Sequence, residues 1–261
     1  MLAANNVSAR YGNREVLHDI AFTAQPRAVT AIVGPNGSGK STLLKAITGE
    51  IPCRGSVKLN GLEVGVTKPW ELAAIRAVLP QATPLAFPFT VSEVVRLGLT
   101  SGVSAGREGL VSAALDRVGL STYAPRFYQE LSGGEQQRVQ LARVLAQVWE
   151  PVAHNSPRWL FLDEPVSALD IGHQLLVMQI ARDFADAGGG VVAVMHDLNL
   201  TAMFADQVAL ISKGQVLAQA APEVVLTDEN LSLAYHCNVR VNAAPARGTY
   251  LLPHLASLAT A

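Results

Sequence analysis

Residues 34–42 constrain this chain more than any other segment. Gly34-Pro35-Asn36-Gly37-Ser38-Gly39-Lys40-Ser41-Thr42 fits the pattern G-x-x-x-x-G-K-[ST]. Ahead of it runs Ala28-Val29-Thr30-Ala31-Ile32-Val33, an apolar stretch typical of a strand buried on both faces. Behind it Leu43, Leu44 and Ile47 recur at helical spacing, and Gly49 is a suitable stop. A glycine-rich turn between such a strand and helix gathers backbone N–H groups around an anion, and the helix N-terminus favours negative charge. The pattern therefore predicts a nucleoside-triphosphate cradle built from Gly34, Asn36, Gly37, Ser38, Gly39 and Thr42. Lys40 is placed to reach the β- and γ-phosphates, and Ser41 to offer its hydroxyl to magnesium. An ordinary Gly-rich βα turn is the alternative; the strand and helix on either side weigh against it.

A second segment completes the expected site. Leu160-Phe161-Leu162-Asp163-Glu164 is an apolar run ending in two carboxylates. At the C-terminal end of a parallel strand both acids face the crevice where ligands bind. Asp163 then suits magnesium, directly or through water, and Glu164 suits a base that polarises a water for attack on the γ-phosphate. Alone, an Asp-Glu pair after an apolar run reads equally well as a helix cap. Its weight comes from the loop upstream.

Around these motifs the chain alternates. Residues 2–33 read as paired strands, 84–150 as mainly helical, and 159 onward as strand and helix in turn. A capping-box pattern, Thr90-Val91-Ser92-Glu93, predicts a helix start, and further helices fit Leu110–Val118, the stretch after Ser132, 173–186 and 222–235. Strands fit 159–162, 191–195, 208–211 and 215–218. Parallel strands with crossover helices account for this order. Of the 261 residues 49% are hydrophobic and 16% charged, against roughly a quarter charged in an ordinary soluble chain. Yet the longest apolar run, Val191–Met195, falls far short of the ~18 residues that a membrane-spanning helix needs. The net charge is −1 with no basic block, which argues against nucleic acid as a partner. The N-terminus lacks a basic region followed by an apolar one, so no secretory signal is expected. Cys53 and Cys237 lie far apart with no metal-site spacing and are expected as buried thiols.

Leu131-Ser132-Gly133-Gly134-Glu135-Gln136 resembles the signature of ATP-binding-cassette (ABC) ATPases, and a serine, two glycines and a following helix make a second anion-binding N-terminus. The resemblance extends over nearly the whole chain. It implies an α/β P-loop NTPase cassette: a RecA-like parallel-sheet core, an N-terminal antiparallel β subdomain and a helical subdomain. Residues 1–261 then form one ATP-binding domain, with about 1–83 and 151–261 as catalytic core plus β subdomain and about 84–150 as the helical part. It further implies that two chains pair head to tail, so that Ser132, Gly133 and Gly134 of one cover the ATP held by Lys40 of the other. Tyr11 resembles the aromatic that stacks on adenine. Gln81 resembles the glutamine that senses magnesium and the γ-phosphate. Asp170, in Ser167-Ala168-Leu169-Asp170, resembles the loop linking the two sites, and His196 the switch histidine. The implied catalytic set is Glu164, His196 and Gln81, with ATP as ligand and Mg2+ at Ser41, Gln81 and Asp163.

One cassette without a span implies permease subunits on separate chains; the resemblance to bacterial importers further implies a cassette lying peripherally on the cytoplasmic face of a bacterial inner membrane and, indirectly, a periplasmic haem-binding protein. Ala77–Gln81, Thr90–Val95 and His196–Ala202 are similar to the cassettes of ferric-siderophore, vitamin B12 and haem importers. The extra residues Val148–Arg158, expected as a surface-loop insertion with an exposed His154, resemble the haem importers most. Hemin is the implied cargo, with a ferric siderophore or vitamin B12 as the alternative. Leu85, Phe87 and Phe89 are candidates for contact with the permease, or equally for packing within the helical arm.

Overall fold

The computed structural model describes residues 1–81, 87–100 and 106–256. β1 (Leu2–Tyr11) and β2 (Arg14–Ala24) form an antiparallel pair around Gly12, whose φ of 57° suits the turn. β3 (Ala28–Val33) leads through the glycine-rich loop into α1 (Lys40–Thr48). β4 (Arg54–Leu59) and β5 (Leu62–Glu63) extend the first sheet in the order β2-β1-β4-β5. α2 (Pro69–Ile75) and β6 (Arg76–Leu79) follow. Proline at the first helical position fixes the start of α2.

The next stretch supplies α3 (Val91–Arg96), α4 (Gly109–Arg117) and α5 (Gly133–Gln147). Both α3 and α5 begin with complete capping boxes, Thr90 with Glu93 and Ser132 with Glu135. The short pair β7 (Val152–Ala153) and β8 (Ser156–Pro157) precedes β9 (Trp159–Asp163). The remainder runs α6 (Ile171–Asp186), β10 (Gly190–Val194), α7 (Leu198–Phe204), β11 (Gln207–Ser212), β12 (Gln215–Ala220), α8 (Pro222–Val225) and α9 (Asp228–Tyr235).

The central sheet has the order β12-β11-β3-β10-β9-β6. Its neighbours are parallel except for the antiparallel β11–β12 edge. Every residue of β9 and β10 is buried, as a parallel sheet covered on both faces requires. Alternation sorts the side chains. Val29, Ala31, Val33, Leu160, Leu162, Val191 and Ala193 join the cluster built by α3 to α6. Ile32, Trp159, Phe161, Val192 and Val194 face α1 and the antiparallel sheet. Fully burying one such large side chain contributes about 1.5–3 kcal/mol, and the two clusters together hold much of the apolar composition. Among the described residues no helix is long and apolar enough to cross a membrane.

Several expectations change in detail. The Val148–Arg158 stretch is a tied hairpin, not a loose loop. Asn60 Nδ2 donates to Ser156 Oγ (3.1 Å) and to the Pro157 carbonyl (2.7 Å), while its Oδ1 accepts from Trp159 Nε1 (3.0 Å). Arg158 is buried and paired with Glu150 at 3.3 Å; His154 is exposed, as expected. The 222–235 helix is split, because Thr227 caps a fresh start with its side chain. The expectation of two buried thiols fails: Cys53 is half-buried and Cys237 exposed. Leu85 lies outside the described residues; Phe89 packs on the core, and Phe87 is 67% exposed.

Candidate functional site

β3, β10 and β9 lie side by side, and their C-terminal ends deliver the loop at Gly34, His196 and Asp163-Glu164 to one edge of the sheet. The loop needs glycine for steric reasons. At Gly34 φ is 150°, and a Cβ there would sit 2.0 Å from the Ile211 carbonyl oxygen. Gly39 caps α1 in a left-handed conformation that a side chain would strain.

A cleft of about 690 Å3 opens above this edge, lined by Tyr11, Asn36, Gly37, Gly39, Lys40, Ser41, Thr42, Gln81, Glu164 and His196. Residues predicted from far-apart motifs thus share one surface, with Gly34 and Ser38 in the loop behind it. Tyr11 is 49% exposed and so is not a core tyrosine. Lys40 is only 5% exposed, and its ammonium donates to the carbonyls of Gly34 (3.0 Å) and Pro35 (3.1 Å). Burial pushes its pKa down, while the charges of Glu164 and Asp163 oppose that shift.

Ser41 Oγ donates to Asp163 Oδ1 at 3.0 Å. Burial raises the Asp163 pKa; the Ser41 hydrogen bond works against this and the neighbouring Glu164 charge adds to it. Glu164 takes a left-handed φ of 52°, a backbone cost of order 1–3 kcal/mol for a non-glycine residue. Its Oε2 accepts from Gln81 Nε2 at 2.9 Å, and its Oε1 lies 2.6 Å from His196 Nε2. The three residues expected to perform the chemistry are therefore in direct contact.

Ser132, Gly133, Gly134 and Asp170 line a different cleft of about 440 Å3. The Ser132 N–H and hydroxyl both donate to Glu135 Oε2, at 2.8 and 2.7 Å. Asp170 caps α6 by accepting from the His173 N–H at 2.9 Å, which with the His173 ring lowers its pKa. Within one chain, then, the expected ATP contacts divide between two clefts. The sequence reading passed over Arg14 in the first cleft and Arg138 and His173 in the second. Arg14 is the cross-strand partner of Tyr11, and His173 stands three residues after a capping aspartate, so both had a local signal.

This arrangement of a phosphate loop on a parallel sheet, an acid pair two strands away and a second capped helix start defines an ATP-binding cassette. A model of the family described as ABC transporter matches residues 17–167, more than half of the chain, and the chain belongs to that family. Among curated relatives, the hemin import ATP-binding protein HmuV of Jannaschia sp. (strain CCS1) is 62% identical over 257 residues, covering 98% of this chain and 95% of that protein. The solved ATP-binding subunit of an ABC transporter has the same fold, with a TM-score of 0.77 at 22% identity over 91% of this chain and 94% of that one. A dimeric post-hydrolysis state of a cassette bound to ADP and Pi aligns with a TM-score of 0.73 at 27% identity, over 85% of this chain and 99% of that one.

Proposed function

We propose that this chain is the ATP-binding and ATP-hydrolysing subunit that energises a membrane permease for hemin import. The contact of Gln81, Glu164 and His196 beside the Lys40 loop carries the ATPase part. The near full-length likeness to a relative named for hemin import carries the cargo.

In this mechanism the loop from Gly34 to Thr42 holds the phosphates and Lys40 exchanges its carbonyl partners for phosphate oxygens. Tyr11 offers its exposed ring to adenine. Ser41, Asp163 and Gln81 would hold Mg2+; one hydroxyl, one carboxylate and one amide suit an ion that keeps phosphate and water ligands as well. That ion would neutralise charge on the phosphate oxygens. Glu164 takes a proton from the attacking water, and His196 and Gln81 fix its carboxylate and face the γ-phosphate. Ser132, Gly133 and Gly134, with Asp170 beside them, complete the site of a second copy paired head to tail. Closure and reopening of that dimer drive the permease, whose contact we place at the exposed Phe87 and Phe127. The chain acts as one domain, peripheral on the cytoplasmic face of the inner membrane.

The test is reconstitution with the permease in proteoliposomes. We expect the permease to stimulate ATP hydrolysis and labelled hemin to accumulate only with ATP. Uptake of ferric siderophore or cobalamin in place of hemin would overturn the cargo.

A further inference from the structure

α5 reaches both clefts of one chain. Its first turn is the Ser132 end, and one turn further Gln137 points to the other site. Gln137 Nε2 donates to the main-chain carbonyl of Glu164 at 2.9 Å. The same carbonyl accepts from Ser167 Oγ at 3.2 Å and from the Ser167 N–H at 3.4 Å. The Glu164 N–H donates to the Val194 carbonyl at 3.2 Å. The residue is thus held on both sides of its Cα, in a left-handed conformation that needs outside support. Gln137 Oε1 is buried without a hydrogen-bond partner, so the donated bond alone repays desolvation of this amide. A buried amide with half its capacity unused is not explained by stability alone.

We propose that Gln137 is a positioning residue for hydrolysis: it fixes the Glu164 carbonyl, and through it the aim of the carboxylate, from the helix whose N-terminus meets the nucleotide of a second copy. The inference rests on Glu164 being the base. Rotation of the 164–165 peptide swings the side chain on the same Cα, and misplacing a catalytic group by ~1 Å can cost on the order of a hundredfold in rate. Nucleotide binding rests on the Lys40 loop instead, so the effect belongs in kcat and not in KM.

The experiment measures phosphate release, KM for ATP and melting temperature on the purified full chain. Gln137→Met and Gln137→Glu keep the length and remove the donor; Gln137→His returns a donor at a similar reach. We expect Met and Glu to lower kcat by about tenfold to a hundredfold with KM unchanged and with a loss that does not follow any fall in melting temperature, and His to restore part of the loss. In a Glu164→Gln background, Gln137→Met should slow the residual rate no further, because groups acting as one unit are not additive. Should Met disturb folding, Glu at the same length decides. Wild-type kcat in both Met and Glu overturns the inference, as does a loss of kcat that tracks melting temperature and is not restored by His, or an additive loss in the double variant. If Glu164→Gln itself turns over normally, the base assignment fails and the inference with it. If Glu164→Gln is inactive while Gln137→Met is normal, the positioning role alone fails.

Discussion

Lys40 shows how a single side chain suits the phosphate proposed for it. Its ammonium is almost enclosed and is held by two neutral carbonyls of its own loop, at 3.0 and 3.1 Å. Burial works against the charge while Glu164 and Asp163 favour it. A phosphate offers full negative charge in place of carbonyl dipoles, and such charge-assisted bonds are worth about 1.5–3 kcal/mol. Lys40→Ala should therefore weaken ATP binding by about tenfold to a hundredfold, as read by calorimetric titration; unchanged affinity would place the phosphates elsewhere. The lysine was legible in the sequence because its partners lie five and six residues away. Asp163 was legible only by pairing two distant motifs, and its hydrogen bond to Ser41 spans 122 residues. Gln137 gave no signal, since its partner is a main-chain carbonyl, which any residue at position 164 would have supplied.

At the level of the element, the capped start of α5 has a pH dependence of its own. The hydroxyl of Ser132, then its N–H, then the Tyr123 hydroxyl hold the Glu135 carboxyl down at about 2 from an ordinary 4.5. A depressed acid stabilises the fold fully above its ordinary pKa and loses that contribution as pH falls through the folded value. Gln at this position still caps but cannot ionise. The melting-temperature gap between wild type and Glu135→Gln should thus be widest above pH 5 and close as pH drops toward 2. A gap independent of pH would mean that the charge does nothing there. The Thr-x-x-Glu spacing made α3 readable in advance, because capping is local in sequence; α5 carries the same spacing, but its start was legible from Ser132 and the two glycines. The β7–β8 hairpin was not readable, since Asn60, nearly a hundred residues upstream, ties it down. The split of 222–235 was a misjudged cap: Thr227 was available as a start signal inside an otherwise apolar pattern.

At the scale of the whole molecule, the arrangement leaves two separate clefts on each chain, which the proposed pairing would join as half-sites. The Lys40 cleft has a loop, the proposed base Glu164 and an aromatic on one side; the Ser132 cleft has a helix start and Asp170 on its own. The two clusters on either side of the central sheet take up much of the apolar composition, and the exposed remainder includes Phe87 and Phe127, where a partner is proposed. Head-to-tail pairing makes a specific demand on mixed dimers. Let one chain carry Ser132→Arg and the other Lys40→Ala. Pairing in trans leaves intact Lys40 facing intact Ser132 in one site and collects both defects in the other. Sites confined to single chains would leave each copy with one defect and no intact site. We therefore expect the mixed dimer to bind one ATP tightly and to retain about half of the wild-type closed-dimer population at saturating ATP, measured by tandem-tagged purification and nucleotide stoichiometry. Each doubly substituted homodimer, lacking any intact site, should retain almost none. A mixed dimer as defective as the two homodimers would exclude head-to-tail pairing.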